Sequence, residues 1–184
     1  MSNTSATGGT LSVTATSPQG TALQRFIQQW LASVTGLNGD LVRPRWQQNP
    51  PPVPAIATDW LAFGITGIQE DANAVVQTAG VNGTLTRHQT LTYLLSFYGA
   101  SALAKAVAFR DAVNLSQNVE TLLLNNLGLV SCENIVHTAD LINDQWCDRY
   151  DLTLVIAQRV TYTTAVLSQQ SAPATISIDV HPNA

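Results

Sequence analysis

The chain has 184 residues, of which 45% are hydrophobic and only 11% charged, with a net charge of −4. That length suits one domain able to bury a core without a metal or disulfide, and the acidic balance argues against a phosphate-binding patch as the main function. A charged fraction this far below the usual ~25% leaves Thr, Ser, Asn and Gln to build the surface, which fits a surface mostly covered by neighbours better than a free monomer.

Residues 1–20 are rich in Ser, Thr and Gly and carry no charged side chain. They read as a low-complexity tail that cannot offset its own ordering entropy, so a neighbouring subunit is expected to hold it. Residues 21–184 read as a single domain. Its first element is a helix from Thr21, because Leu23, Phe26, Ile27, Trp30, Leu31 and Val34 form one apolar stripe and Gly36 ends it. The stretch 38–56 holds five prolines, Pro44, Pro50, Pro51, Pro52 and Pro54. They exclude helix and central strand, which makes residues 40–54 an extended, polyproline-like arm that gains little from its own fold.

Strands follow. In residues 58–68, Leu61, Phe63 and Ile65 alternate with small residues. A second strand runs from Asn73 to Thr78, and the segment Ala79–Gly83 reads as a hairpin turn through its Asn-Gly pair. The next strand sets Leu91, Tyr93, Leu95 and Phe97 on one face and Thr90, Thr92 and Ser96 on the other. After Gly99, residues 100–127 read as helical, with a break at Asn114–Ser116 and Gly128 as the cap. A short strand over 129–138 and a long one from Asp151 to about Leu167 come next, the latter with Leu152, Leu154, Ile156, Val160, Tyr162 and Val166 facing inward. A last strand carries Ile176, Ile178 and Val180. Hairpin links and one apolar face per strand predict an α+β two-layer sandwich, a mostly antiparallel sheet with helices covering one face.

The search for chemistry returns little. There is no Gly-rich phosphate loop, no H-E-x-x-H, no paired C-x-x-C and no G-x-S-x-G. His137 lies near Cys132 and Asp140, but without a surrounding motif it reads as a solvated loop histidine. Asp140, Asp144, Asp148 and Asp151 have near-helical spacing and do not match the calcium-loop pattern; a solvated acidic face is the better reading, and a surface that lets DNA slide past is another role open to it. No catalytic, cofactor or metal residue is therefore assigned. Cys132 and Cys147 are expected to be reduced, partly buried hydrophobes of a cytosolic chain. No signal peptide is expected, and no apolar run is long enough to span a membrane.

Seven of the eight basic residues are arginine, the cation favoured at interfaces. Two of them flank the arm's most distinctive sequence. Arg43, Arg45 and Trp46 supply anchor types that dominate interface energies, and with Pro44, Pro50 and Pro51 they are the expected contact to a neighbouring subunit or partner.

The run Arg43-Pro44-Arg45-Trp46-Gln47 with Asn49-Pro50-Pro51, followed by Trp60-Leu61-Ala62-Phe63-Gly64-Ile65, resembles the neck terminator, or tail terminator, proteins of tailed bacteriophages. The element order over residues 21–181 is similar to theirs too. The resemblance implies a structural virion protein without catalysis or cofactor: a ring, usually a hexamer, that caps the tail tube and joins it to the head connector. It implies as partners further copies of itself, the tail tube protein, a head connector or collar protein and the tail sheath, with genomic DNA passing unbound through the lumen. It places the protein in the virion neck or tail after assembly in the host cytoplasm, away from any membrane. A head-completion adaptor or another tail-tube-associated protein is the close alternative, and a small hydrolase using the Asp140–Asp151 cluster or His137 the distant one.

Overall fold

The apolar stripe opening the domain does form a helix, α1 (Gly20–Thr35), burying Leu23, Ile27, Trp30 and Leu31. It stops at Gly36, whose φ of 67° is the left-handed conformation that glycine adopts without a Cβ clash. A computed structural model describes residues 10–79, 82–142 and 144–165 of the chain. Ahead of α1 lies a two-residue strand, β1 (Thr14–Ala15). After α1 come a short 3₁₀ turn (Gly39–Leu41), β2 (Val42–Pro44), β3 (Trp60–Glu70), β4 (Val75–Ala79) and β5 (Asn82–Tyr98). Helices α2 (Ala102–Ala112) and α3 (Ser116–Leu123) follow, then β6 (Leu127–Cys132), β7 (Val136–Ile142) and β8 (Gln145–Ala165).

The eight strands make one sheet around a long antiparallel ladder of β5 against β8, paired from Asn82 with Ala165 to Tyr98 with Arg149. Shorter strands line both outer edges of this ladder. Along β5 lie β4 and β3, and β2 pairs in turn with β3 as the sheet's parallel pair. Along β8 lie β7, β6 and β1, end to end. One face of the ladder carries Leu91, Tyr93, Leu95 and Phe97 with Leu152, Leu154 and Ile156, all at most 2% exposed. The helices pack on that face through Ile27, Leu31, Phe109 and Leu122. The architecture is thus the expected α+β sandwich, mostly antiparallel, with helices on one side.

Several local expectations are corrected. Ala79 pairs with Asn82 and Thr78 with Gly83, so the Asn-Gly pair sits inside β5 and not at the turn. The helical stretch does break before Ser116, but its end is marked by Asn126 at φ 58° and β6 already contains Gly128. The strand expected over 129–138 is two strands. Glu133, Asn134 and Ile135 stand between the pairs Cys132–Leu154 and Val136–Asp151, three residues against two, and this mismatch jogs the chain from one strand to the next. The long strand starts at Gln145, because β7 extends it into a hairpin. Hairpin geometry also replaces the near-helical spacing of the four aspartates. Residues 12–18 are held by the chain's own β8, where a neighbouring subunit was expected: Thr16 N–H donates to Thr161 O at 2.8 Å and Gln158 donates to Pro18 O at 2.8 Å. Val166 and the strand expected at Ile176, Ile178 and Val180 lie outside the described residues.

Candidate subunit interface: the arm and the face beneath it

The arm begins inside the sheet. Asn38 caps the 3₁₀ turn, its side-chain oxygen accepting from Asp40 N–H at 3.2 Å. Val42, fully buried, opens β2, and its carbonyl accepts from Gln28 of α1 at 2.8 Å. Pro44 ends β2 on the sheet's edge, where a missing backbone donor costs nothing. Arg45 N–H still donates to Phe63 O at 2.7 Å. The expectation that the arm gains little from its own fold is therefore corrected: its first five residues form the end of the 3₁₀ turn and an edge strand.

Both arginines are engaged within the chain. Arg43 Nε donates to Asp40 O at 3.1 Å, its guanidinium also donates to Pro52 O, and it lies 5.8 Å from the ring centroid of Trp60. Trp60 stacks on Tyr98 with centroids 4.2 Å apart. Arg45 crosses the uncovered face of the sheet and donates to Ser96 Oγ, which donates onward to Asp151 Oδ1. Asp151 Oδ2 accepts from Arg149 at 2.9 and 3.2 Å, and Arg149 also reaches Asp140 at 3.0 Å. Partial burial pulls the Arg149 pKa down, but the hydrogen bond and charge of Asp151 outweigh it and hold the pKa above the ordinary value. Ser96 is fully buried under this network. Two alternating strand patterns hid it: Ser96 looks like one small polar residue among Leu94, Leu95 and Phe97, and Arg149 and Asp151 become neighbours of it only once β5 and β8 pair.

Beyond Arg45 the chain turns outward. Trp46 sits at φ 57° with 71% of its surface exposed, and its ring covers Gly64 so closely that a Cβ there would lie 2.5 Å from it. Pro50, Pro51 and Pro52 are exposed, as are Val53 and Ile56 at 50% and 41%. Of the six residues singled out in the sequence, Arg43, Pro44 and Arg45 are thus bound into the domain, while Trp46, Pro50 and Pro51 face outward.

Among the described residues the side chains considered for the alternative chemistry pair separately. Asp140 and Asp151 pair with Arg149, whereas Asp148 pairs with His137 at 2.9 Å, so the aspartates divide between two partners. Among the described residues no three His, Cys, Asp or Glu side chains are grouped to hold a metal ion. Burial pushes the Cys132 thiol up to about 11, the wrong direction for a nucleophile, and both cysteines are free.

Residues 21–183 match the model of a family described as phage neck terminator protein. The chain belongs to that family. The match takes in α1 from its second residue, the arm and the whole β5–β8 ladder. No curated protein matches the chain. Among the described residues no helix is long and apolar enough to cross a membrane.

Proposed function

We propose that the chain is a structural, non-enzymatic protein of the virion neck, six copies of which form a ring that ends the tail tube and joins it to the head connector. Genomic DNA passes through the lumen without specific binding. The family match over residues 21–183 carries this reading. Its partners are further copies of itself, the tail tube protein, a head connector or collar protein and, where the tail is contractile, the sheath; assembly takes place in the host cytoplasm. Residues 21–184 act as one domain that presents the arm at 40–54, with residues 1–20 as a tail.

Within the arm, Trp46, Pro50 and Pro51 make the subunit contact, while Arg43, Pro44 and Arg45 fix the base from which it projects. The exposure of Trp46 and the prolines supports that division, since an outward aromatic beside a preset polyproline segment loses little entropy on docking. Native mass spectrometry tests the ring. Six 19.7 kDa chains give an assembly of about 118 kDa. A chain that remains a 19.7 kDa monomer at all concentrations, and also in the presence of tail tubes, overturns the reading.

A further inference from the structure

The β7–β8 hairpin runs past the end of β5, whose last pairing is Tyr98 with Arg149. Near its tip Leu141 and Trp146 stand directly opposite each other, so they share one face of the hairpin. They are 54% and 74% exposed, which makes a protruding knob of two large apolar side chains. Among the described residues neither belongs to a core cluster, and tryptophan is among the residue types most enriched at interface hot spots.

A cleft of about 460 Å³ lies at the other end of the sheet, between the N-terminal end of α1 and strands β3, β5 and β8. Its lining is mainly apolar, with Leu23, Ile65, Ile68 and Leu91, and Trp46 of the arm forms part of its wall. Tyr93 belongs to the same lining. It is only 2% exposed, and its hydroxyl has no hydrogen-bond partner among the described residues. A buried hydroxyl without a partner is costly, and a ligand that brings a donor to it recovers that cost on binding. The indole N–H of a tryptophan is such a donor, carried on an apolar body.

Knob and cleft cannot meet within one chain. Gln158 and Tyr162, at the cleft, lie twelve and sixteen residues beyond Trp146 on the same strand, a separation of roughly 40–50 Å at about 3.3 Å per residue. Between two copies they can meet, and the contact is then heterologous, one surface of a subunit against a different surface of the next. Repeated with a closing rotation, such contacts generate rings.

We infer that the β7–β8 hairpin of one subunit inserts Trp146 and Leu141 into the α1–sheet cleft of the next copy, against its Trp46 and with the indole N–H directed to its Tyr93 hydroxyl. This rests on the ring reading and deepens it: the arm's partner becomes the neighbour's hairpin. Trp146→Ala removes the knob at an exposed site, and Tyr93→Phe removes the acceptor without changing the packing. Sedimentation should show Trp146→Ala weakening association about 30-fold and Tyr93→Phe about 3- to 10-fold, with circular dichroism unchanged. Replacing Trp146 with p-benzoylphenylalanine should give crosslinks between subunits that map to the α1 N-terminus, to residues 44–46 or to 89–93. If the wild type assembles and Trp146→Ala assembles as well, this contact is wrong while the ring stands. Crosslinks that map to residues 166–184, or to any other surface, overturn it equally. A wild type that never associates sinks the ring and the contact together.

Discussion

Gly99 shows how one residue holds the helical layer to the sheet. It follows β5 directly, has a φ of 108°, and a Cβ on it would lie 2.5 Å from Thr58 O and 2.6 Å from Asp59 Cα. Backbone cannot yield as a flexible side-chain end can. The close approach lets Asp59 Oδ1 accept from Ser101 N–H at 2.7 Å, at the start of α2. Gly99→Ala combines backbone strain with overpacking and should destabilise the chain by about 3 kcal/mol; a urea midpoint equal to that of wild type contradicts this. Cys132 supplies a pH dependence. Burial raises its thiol from the ordinary value near 9 to about 11, so the folded chain keeps its proton where the unfolded chain has lost it. The thiol's contribution is therefore complete below pH 9 and is lost as pH rises from about 9 to 11. Over that window wild type should lose more stability than Cys132→Ala, and native Cys132 should label slowly at pH 8. Parallel stability curves for the two chains would count against it.

At the scale of elements, the network beneath the arm ties three strands to one loop. Asp151 accepts from Ser96 and twice from Arg149, and Ser96 in turn accepts from Arg45. The side chains of Asp151 and Arg149 are only 16% and 23% exposed, so breaking their pair leaves a poorly solvated guanidinium. Asp151→Asn should cost about 2–3 kcal/mol and speed proteolytic nicking in residues 46–57, whereas Asp140→Asn, at the more exposed end, should cost under about 1 kcal/mol. Equal effects from the two substitutions would show that the network does not anchor the arm. The sequence made the local parts of this region readable and left the non-local parts hidden. Alternation placed Leu91 to Phe97 and Leu152 to Ile156 correctly on one face, since a half-buried strand writes its burial into every second residue. The helix ending at Gly36 was legible for a similar reason. Pairing partners leave no such trace: β1, with two residues, and β2, with three, have no period to detect, and the jog at Glu133–Ile135 interrupts alternation in a way that looks like one irregular strand. For the arm, composition revealed the prolines and Trp46 as an exposed segment, but only the register of β3 against β5 brings Arg45 over Ser96.

The whole molecule's charge bears on what passes through the proposed ring. Six chains at −4 carry −24, yet an acidic total does not keep individual arginines from gripping a polyanion. What decides this is whether those arginines are available. Arg87 pairs with Glu70 at 2.6 Å, Arg110 with Asp111 at 3.1 Å, and Arg149 with Asp140 and Asp151 at 3.0 and 2.9 Å. Arg159 donates to Asn126 at 2.6 Å, Arg45 to Ser96, and Arg43 to the carbonyls of Asp40 and Pro52. Six of the seven arginines thus have a partner within the chain, and Lys105 donates to Thr35 O at 3.4 Å. Within the chain, arginine acts as a brace as well as supplying an interface residue type. A wall of this kind offers a passing duplex few free cations, so little counterion release drives binding. The assembled protein should show no retention of duplex DNA at 150 mM salt, and only weak retention as salt is lowered, since each free cation adds about one to the salt slope. Filter binding across a salt series reads this directly. Micromolar binding with a steep slope, or a ring whose lumen presents several arginines per subunit, would mean that the braces release on assembly and that the channel grips the DNA it is meant to pass.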